Sequence, residues 1–352
     1  MRYGKIRVEN GCLLYSRHMM LYSLPCREIL WAYMRREGGA GNRGFSKQMI
    51  SHSLVIITRK KKHYSFDMTE KEIQECLRHL KALNPEMAVG FPKGGPLPFQ
   101  SLLNIRDLGA LENIEGRFIL PRRLLRSGEL YHASLSDERQ LSEEYHVKTV
   151  IDLRTEAERK RKPDATLPGV EYYHIPVMED NSYRGGDGAD LYQFILQYQG
   201  DGEEFMTQRY SSLIRDKYAL DQYARFLDVL LHHGEGAVLW HCYDGKDRTG
   251  VATALLLCAL GIPEETIRED FMRSNACLDM ELQYMLRYME AMGKDSPLAA
   301  ENMSIFYRVK RSYIDHVFED IRLEYGTVDR FLRRGLYLTP RAMEELQDKY
   351  LV

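Results

Sequence analysis

Residues 238–251, Val-Leu-Trp-His-Cys-Tyr-Asp-Gly-Lys-Asp-Arg-Thr-Gly-Val, join an apolar run to a polar loop and to the start of a second apolar run. The first run predicts a buried strand that delivers Cys242 to its end, and the second predicts a helix that begins at Arg248. A strand, a short loop and a helix in this order are typical of layered α/β folds, in which ligands bind beyond the carboxyl ends of the strands. We therefore expect a ligand site at this loop.

The residue types of the loop predict that its ligand is a phosphate dianion. Loop amides and a helix N-terminus form a binding pocket for anions, and Gly245 lets the backbone approach the anion closely. Arg248, six residues after Cys242, can grip two phosphate oxygens with its planar guanidinium group. The same positive field favours the thiolate of Cys242, and Thr249 places a hydroxyl near the sulfur. We expect the loop to bind phosphate through Tyr243, Asp244, Gly245, Lys246, Asp247 and Arg248.

Composition excludes several other classes of protein. The formal net charge of −2 gives no global basic field for nucleic acid. The longest apolar run, residues 251–260, is too short for a transmembrane helix, and the first residues lack the apolar core of a signal peptide. We therefore expect a cytoplasmic protein that does not bind nucleic acid.

The six cysteines are far apart and form neither a C-x-x-C pair nor a metal-ligand spacing. In a long chain without a signal peptide, this usage predicts reduced thiols. The chemistry of the loop requires no metal and no cofactor, and we expect neither.

The chain is predicted to divide at residues 90–99, a linker rich in glycine and proline. Before it, β-like runs are followed by one amphipathic helix that begins with a capping box at Thr69 and Glu72 and ends at Asn84. The predicted strands are 5–9, 12–16 after an Asn-Gly turn, 18–22, 28–35, 52–59 and 63–67. This order of strands and one helix resembles a pleckstrin-homology-like module over residues 1–89.

The second part of the chain, residues 100–352, alternates strands and helices and is predicted to be a layered α/β domain. The predicted strands are 148–153, 170–177 and 236–241. The predicted helical segments are 203–232, 248–260, 263–273, 278–292, 301–325 and 340–350.

The motif H-C-x-x-G-K-D-R-T-G at residues 241–250 resembles that of the bacterial tyrosine/lipid phosphatases, a family of cysteine-dependent phosphatases. Other similar motifs are Asn104-Ile-Arg-Asp-Leu-Gly109, Leu125-Arg-Ser-Gly-Glu-Leu130, Val150-Ile-Asp-Leu-Arg154 and Asp270-Phe-Met-Arg-Ser-Asn275. The resemblance implies the cysteine-phosphatase fold, a central and mostly parallel sheet flanked by helices, over residues 100–352. Residues 1–89 are an extension that the typical family member lacks.

The loop chemistry implies a two-step hydrolysis in which Cys242 attacks phosphorus and water then hydrolyses the phosphocysteine. A proton donor is also needed. The resemblance points to Asp247, although its basic neighbours favour its ionised form. The rival is Asp180, because many dual-specificity phosphatases place their acid on a loop after such a strand.

Four more residues are candidates for supporting roles, each with a structural alternative. Lys246 adds charge against a second phosphate or solvates the loop rim. Asp152 and Arg154 orient the basic residues of the loop or form a structural ion pair. His241 is expected to fix the loop backbone rather than to transfer protons.

Two surface features also allow two interpretations. A stripe of apolar residues on helix 278–292 is either core or a lid over the site, which the resembling family builds from helices in this region. The basic corner 59–62 is either a solvated turn or a contact for an anionic membrane, so the N-terminal module has membrane or protein as its possible partner.

The leading prediction is a phosphatase that acts on phosphotyrosine in proteins, with possible breadth toward phosphoserine, phosphothreonine or phosphoinositides. One alternative is a dedicated phosphoinositide or inositol-phosphate phosphatase, because myotubularin-type enzymes also place a pleckstrin-like module before a Cys-x5-Arg domain. Another is an inactive phosphatase-like protein that binds phosphorylated partners.

Overall fold

A computed structural model describes residues 1–37, 51–180, 188–294 and 296–352 of the chain. The chain forms two compact units, Met1–Pro92 and Lys93–Val352. The boundary falls within the predicted linker. None of the described helices is long and apolar enough to cross a membrane.

The N-terminal unit contains two four-stranded sheets, with strand orders β1-β2-β3-β4 and β7-β6-β5-β8. All pairs are antiparallel except β5 with β8. The strands are β1 (Arg2–Tyr3), β2 (Ile6–Glu9), β3 (Cys12–Arg17), β4 (Met20–Pro25), β5 (Ile29–Glu37), β6 (Ser51–Thr58), β7 (His63–Asp67) and β8 (Ala88–Val89). The prediction of a strand at 18–22 is wrong at its start, because His18 and Met19 have positive φ and form the turn before β4.

Helix α1 (Glu70–Leu83) covers the core of this unit. Its capping box at Thr69 and Glu72 is confirmed, and Asn84 ends the helix. Ile73, Cys76, Leu77 and Leu80 are buried and belong to one core cluster with residues of both sheets. The unit follows the predicted order of strands and then one helix, except that the short strand β8 comes after α1. The pleckstrin-homology-like assignment stays a prediction.

The basic corner after β6 is partly neutralised. Arg59 donates to Glu86 over 2.6 Å and, more weakly, to the Arg27 carbonyl oxygen over 3.3 Å. Lys60, Lys61 and Lys62 are exposed. This arrangement agrees with a solvated turn and leaves three lysines at the surface.

The second unit is built on a five-stranded sheet of order β12-β11-β13-β10-β9. The strands are β9 (Arg106–Asp107), β10 (Leu124–Ser127), β11 (Val147–Asp152), β12 (Glu171–His174) and β13 (Ala237–His241). All neighbours are parallel except β9 and β10. His241 is in register with Ser127 and with Asp152, so the carboxyl ends of three strands meet at one edge.

Helices complete the second unit. They are α2 (Leu135–Arg139), α3 (Glu156–Arg161), α4 (Gly188–Gln197), α5 (Gly202–Arg215), α6 (Lys217–His232), α7 (Arg248–Ala259), α8 (Glu264–Ala291), α9 (Pro297–Tyr307), α10 (Arg311–Tyr325), α11 (Val328–Arg334) and α12 (Pro340–Tyr350). A π-helical turn, Gln140–Glu144, follows α2. The mixed sheet with its helices confirms the predicted α/β class.

Three of the predicted helical boundaries are wrong. Segment 203–232 is two helices, because the Asp216 side chain accepts from the Tyr218 amide and starts α6. Segment 301–325 is also two helices, and Asn275 bridges the gap through hydrogen bonds of 2.8 and 2.9 Å to the backbone of Val309. Segments 263–273 and 278–292 are instead one helix, α8.

The apolar stripe on α8 is divided between core and surface. Leu282 and Met289 are buried in the core of the second unit, whereas Tyr288 and Met292 are 44% and 54% exposed. The core interpretation therefore holds for the two buried residues, and the lid stays a prediction.

Candidate active site

At the centre of the loop between β13 and α7, the backbone has a conformation that only glycine can adopt. Cys242 lies buried at the end of β13, and Arg248 is the first residue of α7. Gly245 has φ of +68°, and a Cβ at this position would lie 2.2 Å from the Ser127 carbonyl oxygen. The loop therefore packs directly against the end of β10 and cannot move outward there.

Two side chains from outside the loop bind its carbonyl oxygens. Arg126 donates to the Gly245 oxygen over 2.7 Å. Asn104 donates to the oxygens of Asp244 and Gly245 over 3.2 and 3.0 Å. Because these carbonyl groups are engaged from behind, the loop amides are left to face an anion.

The Arg126 side chain is itself held by a buried carboxylate. Asp270 accepts from Arg106 over 2.5 Å and from Arg126 over 2.6 Å, and both arginines are fully buried. Burial, together with the neighbouring Arg106, lowers the pKa of Arg126 to about 10. Three of the sequence motifs thus meet at Asp270, which shows what these residues do in the fold.

Arg248 is oriented by a residue that the sequence analysis missed. Glu158 of α3 accepts from both terminal nitrogens of Arg248, over 2.6 and 2.7 Å. Burial raises the pKa of Glu158, but Arg248 outweighs it and brings the pKa to about 2. The available signal was the capping box Thr155-x-x-Glu158, which places a carboxylate directly beyond a strand end.

Asp152 and Arg154 form an ion pair with each other rather than with the loop cations. Arg154 donates to both oxygens of Asp152 over 2.9 and 2.8 Å, and it also contacts Asp164 and Glu129. Their surroundings agree with the structural alternative.

His241 lies beneath the loop in the same buried cluster. Its Nε2 is 2.9 Å from Asp164. Burial lowers the pKa of His241, but Asp164 and Asp152 outweigh it, so that the pKa is raised overall. Asp152, Asp164 and His241 have the donor types of a metal site, but Arg154 already binds both carboxylates, so the cluster is better explained by its ion pairs.

Two of the predicted loop residues bind each other. Lys246 is 2% exposed and donates to Asp247 over 2.6 Å, and the hydroxyl of Tyr210 from α5 donates to the other oxygen of Asp247. Burial raises the pKa of Asp247, but Lys246 and Arg209 outweigh it and lower the pKa below its ordinary value.

The remaining predicted residues have fewer contacts. Asp180 accepts from the Ala157 amide over 3.0 Å at the start of α3. The Tyr243 hydroxyl accepts from Lys162 over 2.8 Å. The Thr249 hydroxyl is buried and has no hydrogen-bond partner among the described residues.

One pocket lies above the loop and contains Cys242 together with Arg248. Its other charged lining residues are Glu158, Arg161, Asp180, Arg209, Asp244, Lys246 and Asp247. An apolar wall from α4, α5 and α9 closes the side, formed by Phe194, Ile195, Phe205, Met206, Phe306 and Tyr307. A charged floor with an aromatic wall suits an anion carried on an apolar or aromatic group.

The Glu158 contact predicts a loss of efficiency when its charge is removed. We expect Glu158→Gln to lower kcat/KM for p-nitrophenyl phosphate by about ten- to a hundredfold, because charge-assisted hydrogen bonds of ~1.5–3 kcal/mol no longer orient Arg248. Glu156→Gln is the matched control, since Glu156 lies on the same helix and pairs with Arg159 at the surface. Equal kinetics in the two variants would contradict this role.

The Asp270 contacts predict a large effect on stability. Asp270→Asn leaves two buried guanidinium groups without a carboxylate, so the free energy of unfolding should fall by about 3–5 kcal/mol. Urea denaturation measures it, and Glu269→Gln, an exposed neighbour on α8, should have almost no effect. A loss of less than about 1 kcal/mol for Asp270→Asn would show that the arginines find other partners.

Comparison with known proteins places this pocket in a family. The model of the tyrosine phosphatase family matches residues 97–352. A protein described as a tyrosine-protein phosphatase in Cupriavidus necator is 29% identical over 248 residues, which are 68% of this chain and 84% of that protein. The triple specificity protein phosphatase PtpB of Mycobacterium tuberculosis is 27% identical over 239 residues, 60% of this chain and 85% of its own.

A solved structure, the core catalytic domain of the PP-IP phosphatase SIW14 from S. cerevisiae in complex with citrate, covers 58% of this chain and 88% of its own length. Its sequence identity is 13% and its TM-score is 0.26. The family match, by contrast, spans most of the chain and contains every residue of the pocket. The chain therefore belongs to the tyrosine phosphatase family and is a phosphatase.

Proposed function

We propose that this phosphatase hydrolyses phosphate monoesters through a phosphocysteine on Cys242, with phosphotyrosine in proteins as its main substrate. The observation that carries the proposal is that Cys242 and Arg248 line one pocket, while Glu158 holds the guanidinium group of Arg248. The inactive alternative is disfavoured, because nucleophile and phosphate-binding arginine are both in place.

In the first step the Cys242 thiolate attacks phosphorus in line with the leaving oxygen. Arg248 and the amides of residues 243–248 bind the phosphoryl oxygens, whose charge spreads in the transition state. The Thr249 hydroxyl, which has no other described partner, stabilises the sulfur as it leaves in the second step. A carboxylic acid of the pocket supplies the proton to the leaving oxygen.

The aromatic wall supports phosphotyrosine as the preferred substrate. Phe194, Phe205 and Phe306 form a cluster with ring centroids 5.5 to 5.8 Å apart beside the pocket. A phenyl ring gains about 0.5–1.5 kcal/mol from such neighbours beyond its burial. A polar inositol ring does not gain this interaction free energy beside the aromatic wall.

The alternative, a dedicated phosphoinositide or inositol-phosphate phosphatase, is favoured by the three other basic residues that line the pocket, Arg161, Arg209 and Lys246. These residues also support breadth of the main activity toward substrates with more than one phosphate. The relative named for triple specificity supports the same breadth. A location in the cytoplasm, and membrane or protein as a partner of the N-terminal unit, stay predictions.

The nucleophile predicts a covalent intermediate. Cys242→Ser should abolish hydrolysis of p-nitrophenyl phosphate, since a serine hydroxyl in this site is not ionised. Acid quenching during turnover, followed by peptide mass spectrometry, should find the phosphoryl group on Cys242 of the unmodified enzyme. Cys258→Ser, a partly buried cysteine of α7 that does not line the pocket, should retain activity. Full activity of Cys242→Ser would refute the mechanism.

The aromatic wall predicts substrate preference. Phe194→Leu should lower kcat/KM for a phosphotyrosyl peptide by about two- to tenfold, the equivalent of ~0.5–1.5 kcal/mol of ring contacts. Its kcat/KM for a phosphoseryl peptide and a soluble phosphoinositide should change little. Phe118→Leu, half-buried away from the pocket, serves as the control. Equal losses on all three substrates would argue against a ring-binding wall, and a phosphoinositide preference in the unmodified enzyme would favour the alternative function.

A further inference from the structure

The phosphate loop contains two carboxylates, Asp244 and Asp247, that line the same pocket in opposite surroundings. Where two acids of one site differ in protonation state, the protonated acid is usually the proton donor and the ionised one is a charged partner. We propose that Asp244, and not Asp247, donates the proton to the leaving oxygen. This assignment rests on the proposed function and names a residue of the same site.

Asp247 is engaged at both oxygens. The Tyr210 hydroxyl donates to one, and the Lys246 ammonium donates to the other over 2.6 Å. Tyr210 is fully buried and stacks on Tyr313, so its hydroxyl position is fixed by packing. A proton on Asp247 would remove the negative charge that pairs with Lys246, so these contacts favour the carboxylate form, which holds the loop lysine in place.

Asp244 has the opposite character. It lies two residues after Cys242 and lines the same pocket, and its backbone oxygen is fixed by Asn104. In the part of the chain that the structure describes, its carboxylate makes no hydrogen bond and no ion pair. It is thus a pocket acid whose proton is not committed to another of the described groups.

Burial and the neighbouring charges together keep Asp244 protonated to a higher pH than an ordinary aspartate. Burial is the largest cause and raises its pKa, as do Asp247 of the loop and Glu129 beyond β10. Lys246 and Arg248 lower the pKa, which settles at about 6. From α9, Tyr307 faces the same space as a neutral phenol, because burial raises its pKa far above the ordinary value.

A bound substrate changes this balance in one direction. The phosphate dianion adds negative charge beside Asp244, and a like charge favours the protonated carboxyl group. The donor is therefore better populated in the enzyme–substrate complex than in the free enzyme.

Asp244 gives a proton in the first step and takes one back in the second. In the first step the Cys242 sulfur forms a bond to phosphorus, the P–O bond to the leaving group breaks, and the leaving oxygen takes the proton of Asp244 as it departs. In the second step a water oxygen attacks phosphorus, one of its protons returns to the Asp244 carboxylate, and the S–P bond breaks. The products are an alcohol or phenol, hydrogen phosphate, the thiolate and the protonated acid.

The leaving group separates the two aspartates experimentally. We expect Asp244→Asn to lower kcat/KM for phenyl phosphate by about 10²–10⁴-fold, because the phenolate then departs without a proton. For 2,4-dinitrophenyl phosphate, whose leaving group needs no proton, the loss in kcat/KM should be under about tenfold, since kcat/KM does not contain the second step, in which Asp244 takes a proton from water. Asp247→Asn should slow both substrates by a similar factor, since it disturbs Lys246 and the loop rather than the proton.

The pH profile gives a second readout. The unmodified enzyme should lose kcat/KM for phenyl phosphate as the pH rises through about 6, because only protonated Asp244 is active. Asp244→Asn should lack this basic limb, and Asp247→Asn should retain it. Asp244→Glu keeps a carboxylic acid and should retain a basic limb at a shifted pH; it carries the test if the asparagine variant fails to fold.

Either of two results overturns the assignment: a retained basic limb in Asp244→Asn, or equal losses for both leaving groups in that variant. If Asp247→Asn alone loses the basic limb, Asp247 is the donor; if neither does, Asp180→Asn identifies the third acid of the pocket. Activity of Cys242→Ser would instead contradict the proposed function itself. The two failures are thus distinguishable in one set of variants.

Discussion

The contact of Asp270 with Arg106 and Arg126 underlies the geometry of the phosphate loop. Both guanidinium groups are fully buried, and without the carboxylate between them two buried charges would be left uncompensated. Through Arg126 this charge triad reaches the carbonyl oxygen of Gly245. These contacts hold the loop backbone in place, which lowers the free-energy cost of ordering it when a phosphate binds.

The separation of the site residues along the chain determines which of them the sequence can predict. The strand, loop and helix around Cys242 lie within one short segment, so residue types and spacing were sufficient to locate the site. The partners that complete it come from far away in the chain. Glu158 is 90 residues from Arg248, and Asp270 is 144 residues from Arg126. Periodicity cannot pair such residues, because only the fold brings them together.

The predicted helix boundaries are wrong for a different physical reason. The apolar period continues across Asp216, because α5 and α6 both bury residues in the core of the second unit. What separates them is a side chain that caps the second helix, and an aspartate within a helical period gives only a weak signal of this. By contrast, the capping box at Thr69 was predicted correctly because it consists of two residues that reinforce each other.

The described lining of the pocket contains four basic residues and four carboxylates, and pairing between them decides which groups respond to a substrate. Glu158 already binds Arg248, and Asp247 already binds Lys246. An arriving dianion therefore meets fixed dipoles and oriented cations rather than mobile charges, which is the condition under which electrostatic stabilisation of a transition state is most effective. Carboxylates that already hold a cation change little when the anion binds. A carboxyl group without such a partner experiences the full repulsion of the new charge, which raises its pKa and favours its protonated form.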